Sequence, residues 1–138
     1  MSTFIVDNLK GKTTANTMTV LAGHATDSTT TTNIEQGLAK HWVNFNGTGT
    51  IAARDSFNMS SLTDNTTGQY VVANTNNMNN ANYSIPASTT RYDTIGAVAM
   101  CLTPRYLTTS QYEVRCEYNN GSYVDFELIY TSNFGDLA

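Results

Sequence analysis

The chain has 138 residues, a net charge of −4 and only 13% charged side chains. That suits one domain with a small appendage, offers no basic stripe for nucleic acid, and leaves no apolar run near the ~20 residues that span a bilayer. Its polarity comes from Thr and Asn rather than Lys and Glu, and Leu, Ile, Val and Phe together number 27 of the 138 residues.

So few large apolar groups must offset an ordering cost of about 1.5 kcal/mol per residue. A chain this thin in core residues gains by burying surface against copies of itself, so an oligomer is expected. Met1-Ser2-Thr3-Phe4 has no basic region followed by an apolar run, and no signal peptide is expected.

Phe4–Val6 reads as a short strand, Lys10-Gly11-Lys12 as a turn, and Met18–Leu21 as a second short strand, paired with the first or with another protomer. Residues 22–32, AGHATDSTTTT, lack periodicity and read as a linker. Residues 33–40 read as one or two helical turns capped by Thr32 or Asn33, with extended chain as the alternative. Ile34, Leu38 and Trp42 are four apart and line one face, which makes them candidates for a core shared between protomers.

Lys40–Tyr70 is a string of strand-like segments separated by turn residues. Val43 and Phe45 alternate with Asn44 and Asn46, and Asn46-Gly47 and Thr48-Gly49 interrupt the run. Ile51, Ala53, Asp55, Phe57 and Met59 then fall on one face at period two, the pattern of a strand with one buried face. Asp55 is out of place there; it caps a neighbouring backbone, sits at a bulge or pairs with a charge on the next protomer. Asn65-Thr66-Thr67-Gly68 forms a four-residue hairpin loop ending in Gly.

Residues 74–81, NTNNMNNA, read as loop, Asn82–Pro86 as a strand ended by Pro86, and residues 87–93 as a second loop. Ile95–Leu102 is apolar on both faces, which suits a central strand. Pro104-Arg105-Tyr106 begins a third loop. In the last hairpin, a three-residue loop Asn119-Asn120-Gly121 sets Tyr118 opposite Ser122, Cys116 opposite Val124, Val114 opposite Phe126 and Arg115 opposite Asp125, with Gly121 in the left-handed position. Cys101 and Cys116 lack metal-ligand spacing and are expected reduced and buried.

No catalytic constellation stands out. His24 and His41 are the only imidazole bases, and Ser and Thr near them carry no weight where both abound. Asp55, Asp64, Asp93, Glu113 and Glu127 are the carboxylates that glycan cleavage would draw on, without a recognisable pairing. Asn-x-Ser/Thr tripeptides follow from composition alone. Neither enzyme activity nor a cofactor or metal is expected. Loops rich in Asn, Ser, Thr and Tyr instead suit polar ligands such as glycans, and Arg91, Tyr92, Arg105 and Tyr106 are the contact candidates.

WVNFNGTGTIAARDSFNMSSLTDNTTGQY resembles the core of small tail-fibre and virion structural proteins of tailed phages, especially those of marine bacteria and cyanobacteria. The resemblance is strongest over residues 38–70, weakens over 73–94, and returns in SQYEVRCEYNNGSYVDFELIYTSNFGDLA; VDNLKGKTT resembles the opening of such proteins. It implies an intertwined homotrimer located in the virion, with Ile34, Leu38 and Trp42 meeting on its axis. The architecture expected is all-β: residues 1–32 an anchor and stalk held by another virion protein, residues 33–138 an antiparallel β-sandwich-like head. The function expected is a non-enzymatic tail fibre or fibre-like part that grips host-surface glycan. The alternative is a capsid decoration, head fibre or other tail fitting with a purely structural role.

Overall fold

Alternation of apolar with polar side chains, broken by Gly and Asn, gives the described residues their strands. The structure, a computed structural model, describes residues 19–21, 31–33, 37–90, 100–118 and 120–138. Among these residues every regular element is a strand: β1 (Thr19–Leu21), β2 (Thr31–Asn33), β3 (His41–Asn46), β4 (Ala52–Phe57), β5 (Met59–Thr66), β6 (Gln69–Asn74), β7 (Ala87–Thr90), β8 (Met100–Arg105), β9 (Gln111–Tyr118) and β10 (Leu128–Asn133). The chain divides into two units, Met1–Leu38 and Ala39–Ala138.

In the first unit β1 and β2 pair antiparallel, with Thr19 opposite Asn33 and Leu21 opposite Thr31. β1 supplies residues 19–21 of the strand expected at Met18–Leu21, and its partner is β2 rather than either partner expected for it. Thr31 and Thr32, expected in the linker, are strand instead, as their β-branched side chains favour. Phe4–Val6, Lys10-Gly11-Lys12 and most of the 22–32 linker lie outside the described residues, as does Ile34.

The second unit is all-β with two four-stranded antiparallel sheets, ordered β4-β3-β10-β7 and β5-β6-β9-β8. Their inner faces share one core, a β-sandwich-like arrangement. Val43 and Phe45 of β3 and Ile129 of β10 meet Tyr70 and Val72 of β6 and Tyr112, Val114 and Cys116 of β9. Phe45 meets Tyr70 edge-on, with ring centroids 5.3 Å apart. Cys116 is a free, buried thiol whose pKa burial pushes up to about 12.

The expected strand with one buried face from Ile51 to Met59 is not one strand. β4 is an exposed edge strand, and Asn58, with φ of 60°, turns the chain into the other sheet. Asn tolerates this left-handed conformation better than most residues. Its side-chain amide donates to the carbonyls of Lys40 and Asn76, and its Oδ1 accepts from the Asn76 N–H. A register shift falls between Asn44 and Phe45, which leaves Arg54 unpaired on β4. Asp55 therefore faces outward opposite Asn44, and it accepts from the Ser56 N–H. Bulge and backbone cap together explain its place.

Only Thr67 and Gly68 separate β5 from β6, with a second register shift between Asp64 and Thr66 in place of the four-residue loop. Gly68 is required twice over. Its φ is 66°, and a Cβ there would stand 2.6 Å from the Cys116 carbonyl oxygen.

Three further expectations change. Asn82–Pro86 is not a strand; it makes one isolated bridge, Ser84 to Phe134, and β7 begins after Pro86 in the stretch expected as loop. Of the expected central strand Ile95–Leu102, residues 95–99 lie outside the described residues; residues 100–102 open β8, at an edge of its sheet among the described residues, where Pro104 is tolerated because edge strands spare one row of N–H groups. The last hairpin keeps its expected register at the tip. The Tyr118 N–H donates to the Ser122 carbonyl, Glu117 lies opposite Tyr123, and Gly121 has φ of 80°. Beyond Val124 the pairing ends, because β6 and β8 occupy both edges of β9. The chain crosses to the other sheet, so Val114 does not face Phe126, nor Arg115 Asp125.

Candidate functional site

Outward-facing residues of β8 and β9 converge on one exposed cluster. Alternation on β9 sends Tyr112, Val114 and Cys116 into the core and leaves Glu113, Arg115 and Glu117 on the outer face. Pairing sets Thr103 opposite Arg115 and Arg105 opposite Glu113. The chain then leaves β8 at Tyr106, which is 64% exposed and has φ of 47°. A non-glycine residue in that region costs about 1–3 kcal/mol and persists only where its surroundings impose it. Here they do. Leu107 packs against the core, Thr108 and Gln111 close a tight turn, and the Tyr83 hydroxyl donates to the Thr108 carbonyl at 2.9 Å. With its neighbours anchored, Tyr106 is thrown outward.

Two guanidinium groups flank its ring, Arg105 at 5.2 Å and Arg115 at 5.7 Å from the ring centre. Arg115 also lies 5.7 Å from the ring of Tyr123 and donates to its hydroxyl at 2.9 Å. The Arg115 Nε–H donates to Glu113, and that bond raises the Arg115 pKa. An exposed flat ring edged by fork-shaped donors can bind a planar polar ligand.

Of the expected contact residues, the structure brings Arg105 and Tyr106 together, whereas Arg91 and Tyr92 lie outside the described residues. Arg115 and Tyr123 were missed as contacts. The signal was present in the register, which put Glu117 opposite Tyr123 and so set Tyr123 on the polar face near Arg115. In the Asn76–Tyr83 loop, also rich in Asn, Met78 and Tyr83 are buried in the core and the residues between and before them are exposed.

Leu38 is 55% exposed in the first unit. Trp42 is half-buried on the outer side of β3, opposite Phe57 on one flank and Ser132 on the other, and Phe57 is 51% exposed. On the same sheet, Pro86, Ala87, Ser88, Tyr130 and Ser132 line a shallow hollow of about 240 Å³.

Of the groups weighed for hydrolysis, His24 and Asp93 lie outside the described residues, and His41 and Glu127 have structural surroundings. His41 is fully buried, its pKa lowered by burial to about 4. Its Nδ1 lies 3.4 Å from the Tyr112 hydroxyl, which meets the Thr131 hydroxyl at 2.6 Å. Asp125 accepts from the Tyr70 hydroxyl at 2.6 Å and the Gly68 N–H at 2.7 Å. Glu127 pairs with Arg54 at 3.5 Å on the surface. Among the described residues no cluster of His, Cys, Asp and Glu is placed to hold a metal. No family model, no curated protein and no solved structure matches this chain.

Proposed function

We propose that the protein is a non-enzymatic structural part of a phage virion, a tail fibre or fibre-like component that adheres to host-surface glycan through the outer face of its second sheet. The observation that carries the reading is Tyr106: a strained, exposed ring between two arginines, held by a rigid sandwich. Backbone strain that packing imposes on an exposed aromatic residue is a mark of function more than of stability. In the proposed assembly three copies pack together, and residues 1–32 attach to another virion protein. The exposed Leu38 and the outward Trp42–Phe57 pair support self-association, because large apolar side chains left at the surface gain by meeting a copy.

A glycan array probed with the purified protein tests adhesion. Capture of a subset of glycans without release of shorter fragments is expected. Capture of none overturns the adhesive role, and shortened glycans overturn the non-enzymatic one. Electron microscopy of labelled particles tests the position, since label on the capsid would exclude a tail fibre.

A further inference from the structure

We infer that the cluster takes a carboxylate-bearing sugar, an acidic glycan whose ring lies on Tyr106 and whose carboxylate is held by Arg105. This deepens the adhesive reading and rests on it. The charges at the site are unevenly paired. Both guanidinium groups lie within 6 Å of one ring centre, yet among the described residues only one carboxylate, Glu113, pairs with either of them. Glu113 and the Tyr123 hydroxyl occupy Arg115. Among the described residues the guanidinium of Arg105 stands over the ring of Tyr106 and, although Glu113 is its cross-strand neighbour, has no carboxylate at ion-pair distance. Glu117 shares this outer face, so the face as a whole is balanced; what stands out is one guanidinium, that of Arg105, without a carboxylate at ion-pair distance among the described residues. Like charges brought together favour an anion between or beside them.

Geometry selects the anion. One free guanidinium offers two parallel N–H donors, which match the two coplanar oxygens of a carboxylate. A phosphate would use the second guanidinium as well, and Arg115 already serves Glu113. Tyr106 supplies a rigid, flat surface beside that fork, where an aromatic ring contacts a sugar at low entropic cost. Arg115 is then a positioning residue. It fixes the edges of Tyr106 and Tyr123 and leaves the carboxylate to Arg105.

The test uses the full chain and matched pairs of oligosaccharides: a uronic acid oligomer and a sialylated oligosaccharide, each with its neutral methyl ester, measured by titration calorimetry at two salt concentrations. At least one acid is expected to bind about ten- to a hundredfold tighter than its ester, the worth of one charge-assisted pair, and to weaken as salt rises. Arg105→Gln should bring acid and ester to equal affinity, and Arg105→Lys should restore only part of the difference. Both replace an exposed side chain, and unchanged thermal unfolding confirms that the fold is intact. If ester and acid bind alike, or Arg105→Gln leaves the preference in place, the inference is overturned while adhesion stands. If the array and both acids give no binding at all, the adhesive reading falls with it.

Discussion

Acid should unfold this protein through one histidine. His41 opens β3, points into the core and is fully buried, with Tyr112 the titratable group facing it from the other sheet at 3.4 Å and Asn133 opposite it on β10. Burial disfavours the imidazolium and lowers the pKa from 6.5 to about 4. The unfolded chain thus binds a proton that the folded one refuses, so stability is fully present above pH 6.5 and falls as the pH drops through 4. At about 1.4 kcal/mol per unit, His41 removes about 2 kcal/mol by pH 5 and about 3 kcal/mol by pH 4, relative to pH 7.

Urea unfolding of wild type and His41→Gln from pH 7 to pH 4 measures this. Every other ionisable group is common to both proteins and cancels in the difference. The advantage of wild type over variant should shrink by about 3 kcal/mol across the range. A difference that stays flat would refute the reasoning, as would an NMR titration of the His41 ring in folded wild type with a midpoint near 6.5. The NMR measurement needs no variant, so the test survives if His41→Gln fails to fold.

Gly68→Ala should cost at least about 2 kcal/mol in urea unfolding, since its Cβ meets the Cys116 carbonyl in a left-handed conformation; Gly49→Ala, with φ of 63° but open space around it, should cost only about 1 kcal/mol. At position 106 the backbone favours glycine, so Tyr106→Gly should be about 1 kcal/mol more stable than Tyr106→Ala by the same assay, although both lose the ring. Light scattering should give a mass roughly three times 15.1 kDa at low micromolar concentration, and Trp42→Ala should lower it; an unchanged monomer in both would remove the case for a shared core.

Alternation over His41–Asn46 and Tyr112–Tyr118 was readable because each strand buries one face and keeps one direction. Legibility ended where the chain changes sheets. Ile51–Met59 looks like one strand because period two continues through Asn58, and only the backbone angle there reveals the crossing. The bulge at Arg54 shifted the alternation by one residue, and Asp55 on an apolar face was its trace. Met78 lay hidden in an Asn-rich stretch, since one large apolar residue among Asn and Thr carries no periodicity, yet it is 1% exposed. For the cluster, Arg105 and Tyr106 were legible as a type of surface. Their convergence with Arg115 and Tyr123 depended on which strands flank β9, and no local pattern encodes that.

The order of strands within the first sheet has a bearing on synthesis. β10 lies between β3 and β7, although the ribosome delivers it after both. Until Leu128–Asn133 emerges, β3 has a neighbour on one side only and β7 has none in its sheet. A premature stop before Leu128 thus removes the middle of a sheet rather than its margin. Until then Val43 and Phe45 lack the Ile129 side of their core, leaving apolar surface of the kind that proteases and chaperones recognise on unfinished chains.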